Sequence, residues 1–242
     1  MPKTIGEAPP LAAWRRETVL KEDLFSRVER GHFEGEGPDG TWVMRDTSIA
    51  RWWTKPLAHF LERREIAALR ALQGFPGVAQ LLFAKNHILV RSWIPGQPLQ
   101  RARTTDLAFY RSAFRLLVAL HRRGVAHNDL AKEPNWLVTP DGGAAFTDFQ
   151  LAYVAPRRGR IFRLAAREDL RHLLKHKNHY CPAAITRRER QIMANRSLPS
   201  RLWLATGKKV YMFITRRILH WSDREGSGDR HPPRRPAPTT EA

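Results

Sequence analysis

The chain has 242 residues, 42% of them hydrophobic, which is enough to bury the core of one large domain or of two small lobes. Its formal net charge is +19, because 42 Lys and Arg stand against 23 Asp and Glu. Such a charge attracts nucleic acid, nucleotide phosphates or an anionic membrane surface, without choosing between them. The single cysteine, Cys181, excludes a disulfide framework within the chain and favours a reducing compartment. We expect it to be a small buried residue.

The sequence indicates neither a signal peptide nor a spanning helix. The start, MPKTIGEAPPLAAW, lacks a charged segment followed by an apolar run. No stretch approaches the roughly 18 consecutive apolar residues that cross a bilayer. We therefore predict a cytoplasmic protein, with peripheral contact at the inner face of the cell membrane left open.

The N-terminal third is predicted to contain an irregular arm, strands and one helix. We interpret residues 1–20 as the arm and residues 24–56 as a glycine-punctuated pair of hairpins, with a turn at PDG (38–40). Helical spacing then extends over residues 57–72 and ends before Gly74. The apolar positions of this helix are Leu57, Leu61, Ala68 and Leu72.

The middle of the chain alternates between strands and a second helix. HILVRSWIPGQPL (87–99) predicts a strand that enters a Pro/Gly connection, and residues 107–123 predict a helix capped by Gly124. NWLVTPDGGAAFTDFQLAYV (135–154) reads as strand, Asp-Gly turn and strand, which is a hairpin. One face of the helix carries Tyr110, Phe114, Leu117 and His121.

This order predicts an α+β fold in two lobes, hinged near Trp93–Pro98. The first would be a small antiparallel-sheet lobe with one helix, and the second would be mainly helical. The predicted division is an arm at 1–20, an N-lobe at 21–96, a C-lobe at 97–222 that includes a basic C-terminal helix, and a disordered, Pro-rich tail at 223–242.

Polar and ionisable side chains are concentrated in HNDLAKEPN (127–135), between two apolar segments. The hairpin that follows can fold Asp148 back beside this loop. The carboxylates of Asp129 and Asp148 and the amide oxygen of Asn135 are hard ligands of the kind that Mg²⁺ prefers. A carboxylate left free could accept a hydroxyl proton, and Lys132 could neutralise a transferring phosphoryl group. The simplest alternative is a polar loop beside an ordinary turn.

GVAHNDLAKEPNWLVTPDGGAAFTDFQLA (124–152) resembles the catalytic loop and metal-binding motif of the protein-kinase-like superfamily. REIAALRALQGFPGVAQLL (64–82) resembles the helix that carries the ion-pair glutamate, and RLLVALHRRGVAH (115–127) resembles the helix before the loop. The resemblance runs in order over about residues 30–175. Because no long activation segment follows, the chain looks most like short bacterial kinases near the RIO and lipopolysaccharide-core sugar kinase groups.

The resemblance implies a kinase-like fold and an ATP- and Mg²⁺-dependent transfer of phosphate to a hydroxyl. Carried over by position, Asp129 would be the catalytic base, with Lys132 near the phosphate. Asn135 and Asp148 would hold Mg²⁺. His127 would have a structural role beneath the metal motif.

The resemblance also places groups around the nucleotide. Glu65 would be the ion-pair glutamate, and Asp169 would hold the backbone of the catalytic loop. The expected small-lobe lysine is replaced by Arg45, with Lys55 as the alternative contact for phosphate. Adenine would meet the backbone of the hinge, formed by Ser92, Trp93 and Ile94.

The chain also departs from the family pattern. Asp129 and Asn135 are six positions apart, one more than usual, so the loop must bulge for Asn135 to reach the metal. Gln150 stands where the metal motif has glycine. Three glycines near the N-terminus lack the spacing of a glycine-rich loop, and we interpret them as turns: Gly31, Gly35 and Gly37.

Several alternatives stay open. The acceptor would be a lipopolysaccharide-type sugar or a protein Ser/Thr, and a pseudokinase that binds nucleotide or acts as a scaffold is the rival function. Nucleic acid is disfavoured, because neither a zinc module nor an RNA-binding aromatic signature is present. Residues 198–226 form an amphipathic pattern that would pack on the C-lobe or lie on a membrane. For three histidines we favour a basic solvated helix face over a metal site: His172, His176 and His179.

Overall fold

A computed structural model of the protein describes residues 9–35 and 40–194. Within these ranges, the residues up to Met193 form one compact unit. The described helices are α1 (Lys55–Ala71), α2 (Leu99–Ala102), α3 (Leu107–Arg122), α4 (Arg160–Tyr180) and α5 (Arg187–Ala194). Short 3-10 turns are found at Leu11–Ala13, Glu133–Asn135, Phe149–Leu151 and Pro182–Ala184.

The first part of the described chain is an antiparallel sheet with α1 inserted between its third and fourth strands. Its strands are β1 (Trp14–Glu22), β2 (Arg27–Phe33), β3 (Trp42–Asp46), β4 (Leu81–Lys85) and β5 (Ile88–Ser92), in the spatial order β1-β2-β3-β5-β4. Within the predicted pair of hairpins at 24–56, one hairpin is confirmed, by the antiparallel pairing of β2 with β3; the partner on the other side of β2 is β1, which lies before that range.

The first strand corrects the predicted N-terminal arm. β1 pairs with β2 from Trp14, opposite Phe33, to Glu22, opposite Arg27. The prediction of an irregular arm over residues 1–20 is therefore wrong from Trp14 onward, while residues 1–8 lie outside the described part. No alternation of apolar and polar residues marks this strand, because it lies at the edge of the sheet and most of its side chains are exposed.

Gly31 lies inside β2, so its interpretation as a turn is wrong. It pairs with Trp42 of β3, and a Cβ atom at this position would lie 2.3 Å from the carbonyl oxygen of Arg15. Only glycine allows β1 and β2 to approach so closely. The turn interpretation is confirmed for Gly35, which has a φ of +83°; Gly37 lies outside the described residues.

Helix α1 buries a polar face. It begins at Lys55, which is exposed. The predicted apolar stripe is wrong at its start, because Leu57 is 50% exposed. Glutamates occupy part of the buried face, and apolar periodicity cannot reveal them. The buried residues are Ala58, Glu62, Glu65, Ala68 and Leu69.

The second part is built on α3 and α4, with short strands between them. β6 (Gln97–Pro98), β8 (Trp136–Val138) and β9 (Ala144–Phe146) form a second sheet, and β7 (Val125–Ala126) pairs with β10 (Tyr153–Val154). The predicted hairpin is confirmed by the antiparallel pairing of β8 with β9. The largest side chains of its core include Phe109, Leu117, Trp136, Phe146 and Phe149.

Two expectations about single residues in this part have different outcomes. Phe114, predicted on one face of α3 with Tyr110 and Leu117, is 46% exposed and does not share their burial. Cys181 is buried as predicted, and its Sγ donates to the carbonyl oxygen of Thr105 at 3.2 Å. Because burial raises the pKa of the Cys181 thiol, it stays protonated near neutral pH.

The predicted α+β fold is confirmed. The lobe bounds at 21–96 and 97–222 stay predictions. The amphipathic segment 198–226 and the tail 223–242 lie outside the described residues. Across 9–35 and 40–194, none of the helices has the length and apolar character needed to cross a membrane.

Gly77 joins the two parts at a tight contact and gives a first prediction. Its φ is +77°, and a Cβ atom would lie 2.8 Å from the carbonyl oxygen of Ala144. We expect Gly77→Ala to lower the free energy of unfolding by about 2–3 kcal/mol, from backbone strain and this clash together. Gly142→Ala is the matched control, since Gly142 has a φ of +78° with open space around it. Its cost should be only about 1–2 kcal/mol.

Urea unfolding of both variants measures this difference. Equal losses in Gly77→Ala and Gly142→Ala would show that the close approach to β9 contributes nothing.

Candidate active site

Asp169 of α4 holds the backbone at the start of the polar loop. Its Oδ1 accepts from the N–H of Asn128 and its Oδ2 from the N–H of His127, each at 2.8 Å. His121 Nε2 lies 3.1 Å from the same Oδ2. Asp169 is 1% exposed, so its carboxylate interacts with these protein groups and not with solvent. The predicted contact with the loop backbone is confirmed.

His127 connects the loop to the segment that leads into Asp148. Its side chain is completely buried, and its Nε2 lies 2.9 Å from the carbonyl oxygen of Thr147. Because a carbonyl oxygen only accepts, this nitrogen carries the proton. The ring centroid lies 4.5 Å from that of Phe149. These contacts agree with the predicted structural position of His127.

The extra residue of the loop is absorbed by the 3-10 turn Glu133–Asn135. The turn brings Asn135 back to the start of the loop, where its Nδ2 donates to Asp129 O at 2.9 Å and to Asp129 Oδ2 at 3.0 Å. With the Nδ2 group used in this way, the amide oxygen of Asn135 is the atom left for a metal.

Helix α4 supports the loop a second time, through His176. Its Nε2 lies 2.9 Å from the carbonyl oxygen of Leu130, which also accepts from Trp136 Nε1 at 3.0 Å. His176 is 8% exposed, so the interpretation of a solvated helix face is wrong at this position. A short loop rich in polar residues needs such partners for its carbonyl groups, and the sequence does not show where they come from.

Asp129 is a half-buried carboxylate of the loop. Lys132 Nζ lies 3.0 Å from its Oδ2. Burial raises the pKa of Asp129, and this effect outweighs the opposing charge of Lys132. A carboxylate with a raised pKa is a better proton acceptor than an ordinary one, which suits a general base.

Asp148 has the opposite character. Its backbone is left-handed, with a φ of +63°. Burial opposes ionisation, but the charges of Arg45 and Lys132 outweigh it and lower the pKa of Asp148. Its Oδ1 is buried and has no hydrogen-bond partner among the described residues. An ionised carboxylate with an unused oxygen is the feature expected of a cation ligand.

The donor set fits Mg²⁺. Asp148 and the amide oxygen of Asn135 are hard oxygen ligands, and Mg²⁺ characteristically takes one or two such protein groups beside water and phosphate. No cluster of three or more His, Cys, Asp or Glu suited to a metal occurs within 9–35 and 40–194.

Glu65 lies between two arginines. Its Oε2 is 3.0 Å from Arg45 Nη1, and its Oε1 is 3.5 Å from Arg91 Nε. Arg45, and not the exposed Lys55, therefore faces the ion-pair glutamate. Sequence reasoning missed Arg91, although an arginine inside the otherwise apolar strand ILVRS was a signal of a buried charge partner.

A third arginine links α1 to the turn after Asp148. Arg64 donates from Nε to the carbonyl oxygen of Ala152 at 3.0 Å and from Nη2 to that of Leu151 at 2.9 Å. Sequence reasoning missed this contact too, since Arg64 resembles any solvated charge on the helix. Its effect is to couple the position of α1 to that of the candidate metal ligand.

Backbone hydrogen bonds occupy the N–H groups of two of the three predicted hinge residues. The N–H of Ser92 donates to Gln80 O at 2.8 Å, and the N–H of Trp93 donates to Thr41 O at 3.0 Å. Both donors are thus already used. Among the described residues, the N–H of Ile94 donates to no backbone carbonyl.

A separate groove of about 730 Å³ lies between α3, α4 and α5. Its walls include the apolar Phe114, Leu170 and Ile192, and its carboxylate, Glu189, is paired with Lys177 at 2.7 Å. The groove contains none of the loop residues, so it is not the site described above.

No protein-family model and no curated protein matches the chain. Solved structures do match, and 1778 of their chains are similar to it. One is a chain of the CAK complex of Chaetomium thermophilum bound to ATP-gamma-S, with 22% sequence identity and a TM-score of 0.50. The match covers 61% of this chain and 50% of that one. The protein thus spans about half the length of that relative, and at this identity the likeness establishes the fold alone.

Proposed function

The chain has a protein-kinase-like fold, and from this premise we propose that it is an ATP- and Mg²⁺-dependent phosphotransferase that acts on a hydroxyl acceptor. The observation that carries the proposal is the pair of carboxylates at the polar loop. Burial raises the pKa of Asp129, whereas basic neighbours lower the pKa of Asp148 despite its burial. Two neighbouring carboxyl groups with pKa values shifted in opposite directions are suited to two roles, base and cation ligand.

In the proposed reaction, Asp129 orients the acceptor hydroxyl and accepts its proton. The hydroxyl oxygen attacks the terminal phosphorus, and the bond from that phosphorus to the oxygen of the departing ADP breaks. Lys132 and Arg45 neutralise charge on the phosphates. Bound Mg²⁺, held by Asn135 and Asp148, would supply further neutralisation of the phosphate oxygens.

Two features of the chain support a choice of binding partners, one for the nucleotide and one for the acceptor. The backbone N–H of Ile94 offers a donor to adenine. The charge of +19 favours anionic partners, so we propose a sugar-lipid of the lipopolysaccharide type or a protein Ser/Thr as acceptor. We place the reaction in the cytoplasm, with peripheral contact at an anionic membrane surface in the first case.

Transfer of labelled phosphate from γ-labelled ATP tests this function. With Mg²⁺ present, we expect transfer to either a lipopolysaccharide-core oligosaccharide or a Ser/Thr protein, and none when EDTA is added. Asp129→Asn should abolish the transfer while ATP still binds. Binding of ATP without any transfer or hydrolysis would instead indicate the pseudokinase, in which Arg45 and the longer loop have cost the chain its activity.

The salt bridge between Lys132 and Asp129 gives a prediction about pH. Asp129 must be ionised to accept a proton, so activity should fall as the pH drops through its raised pKa. Lys132 lowers that pKa, and Lys132→Ala should therefore raise it further and move the acidic limb of kcat/KM to higher pH. The opposite shift, or none, would exclude Asp129 as the group that sets this limb.

Lys132→Arg is the matched control, because it keeps a positive charge within reach of Asp129. Its acidic limb should stay near that of the wild type. Since basic neighbours lower the pKa of Asp148, that carboxylate stays ionised throughout the same pH range and does not contribute to the limb.

A further inference from the structure

We propose that Arg91 is a positioning residue that holds Glu65 and with it α1, and that this leaves Arg45 free to contact nucleotide phosphate. The inference rests on the proposed function. In this proposal Arg91 fixes the buried glutamate, and Arg45 binds the substrate.

The register of the sheet places both arginines on one face. Arg45 of β3 lies opposite Leu89 of β5, and Val43 lies opposite Arg91. Opposite residues of an antiparallel pair share a face, as do residues two apart along a strand. Arg45 and Arg91 are therefore diagonal neighbours that point toward α1, where Glu65 lies between them.

Each oxygen of Glu65 has its own arginine. Oε2 lies 3.0 Å from Arg45 Nη1, and Oε1 lies 3.5 Å from Arg91 Nε. The side chains are all nearly buried, with exposures of 9% for Arg45, 12% for Arg91 and 1% for Glu65. Removal of Arg45 from Glu65 would consequently leave the carboxylate with a charged partner, which is the condition for keeping it buried.

This group carries a surplus positive charge. Two guanidinium groups beside one carboxylate leave one positive charge. Glu65 and, more weakly, Asp148 oppose the effect of burial on the pKa of Arg91, so the surplus charge is within electrostatic reach of Asp148.

Guanidinium chemistry allows this division. Arg45 has several N–H groups in a planar fork, so its guanidinium can stay beside Glu65 while it presents N–H groups to phosphate. Any loosening of the first contact is compensated by Arg91. Since Arg64, next to Glu65, holds the turn after Asp148, the position of α1 that Arg91 stabilises also determines where Asp148 lies.

Three variants test the division: Arg91→Met, Arg45→Met and the control Arg63→Met, which removes an exposed arginine of α1. Calorimetry gives the Kd for Mg²⁺-ATP, steady-state assays give kcat, and hydrogen exchange reports on α1. Arg91→Met should lower kcat about tenfold or more, which is the value of one charge-assisted contact. Its Kd should stay within about threefold of the wild type, and exchange of α1 should accelerate.

The opposite pattern is expected for Arg45→Met. Its Kd for Mg²⁺-ATP should rise about tenfold or more, with exchange in α1 closer to that of the wild type. Arg63→Met should change neither quantity. Arg91→Lys keeps a charge beside Glu65 and should restore most of kcat, which a purely steric role for Arg91 would not predict.

Two results would overturn the inference. If Arg91→Met raises the Kd as much as Arg45→Met does, with unchanged exchange in α1, then Arg91 is itself a phosphate ligand. If kcat and exchange match those of Arg63→Met, Arg91 positions nothing. Should Arg91→Met not fold, Arg91→Gln keeps polar atoms in the buried position and is judged by the same readouts.

Failure of the proposed function is recognised separately. In that case the wild type transfers no phosphate, whether or not it binds Mg²⁺-ATP. The exchange of α1 still decides the role of Arg91: faster exchange in Arg91→Met than in both Arg45→Met and Arg63→Met supports it, and equal exchange contradicts it.

Discussion

Asp148→Asn is expected to lower Mg²⁺-dependent phosphate transfer about a thousandfold or more, because it removes the charge of the proposed metal ligand. Asparagine is the right replacement for two reasons. It is nearly isosteric, and it tolerates the left-handed φ of +63° that Asp148 adopts. A loss of activity in this variant therefore reports on charge and not on backbone strain.

Stability separates this result from misfolding. The Oδ1 atom of Asp148 has no hydrogen-bond partner among the described residues, so its replacement should change the free energy of unfolding by only about 1 kcal/mol. Asp141→Asn, in the exposed turn between β8 and β9, is the control and should leave the transfer rate unchanged. A phosphate-transfer rate in Asp148→Asn within about tenfold of the wild-type rate would contradict the assignment of Asp148 as a metal ligand.

Asp169→Asn is expected to have the largest effect on stability, a loss of about 2–4 kcal/mol. Its two oxygens accept from the N–H groups of His127 and Asn128 and lie close to His121. An amide in place of the carboxylate would turn an NH₂ group toward one of these donors. Two donors would then face each other in a buried position, where water cannot satisfy either of them.

Urea unfolding measures the loss in Asp169→Asn, and hydrogen exchange localises it. The backbone amides of His127 and Asn128 should lose protection first, and transfer activity should fall because Asp129 follows directly in the chain. Asp141→Asn again provides the comparison, with an expected change below about 0.5 kcal/mol. A stability equal to that of the wild type would mean that the contacts of Asp169 are not needed to hold the loop.

The polar loop could be predicted from the sequence because its chemistry is local. His127, Asp129 and Asn135 lie within nine residues, and the hairpin with its Asp-Gly turn brings Asp148 back to them. Turn residues and short strands bring these side chains together, although the loop backbone is held by Asp169 and His176 of α4. The support of the loop by Asp169 was also predicted, although only through the resemblance.

Buried polar residues could not be predicted in the same way. Periodicity reports where apolar side chains recur, so a buried glutamate in α1 looks like a solvated one. Glu62 is an example, since its Oε2 accepts from Thr47 Oγ1 at 2.8 Å inside the protein. His176 was misread for the same reason, because it is buried only by virtue of a partner far away in sequence.

The edge strand β1 could not be predicted for a different reason. With most of its side chains exposed, it has no pattern that distinguishes it from an irregular arm. Its existence follows from pairing with β2, which the close approach at Gly31 permits. Pairing of this kind depends on backbone hydrogen bonds that every sequence can make, so local composition carries little information about it.

The most direct test of the proposed function is a structure with a non-hydrolysable ATP analogue and Mg²⁺. The proposal predicts one Mg²⁺ held by the amide oxygen of Asn135 and a carboxylate oxygen of Asp148, at about 2.0–2.1 Å, with Arg45 at the phosphates. Nucleotide bound without a metal at Asp148, or with the amide oxygen of Asn135 remote from the ion, would contradict it. In that case the extra residue of the loop would mark a site that binds nucleotide without transferring its phosphate.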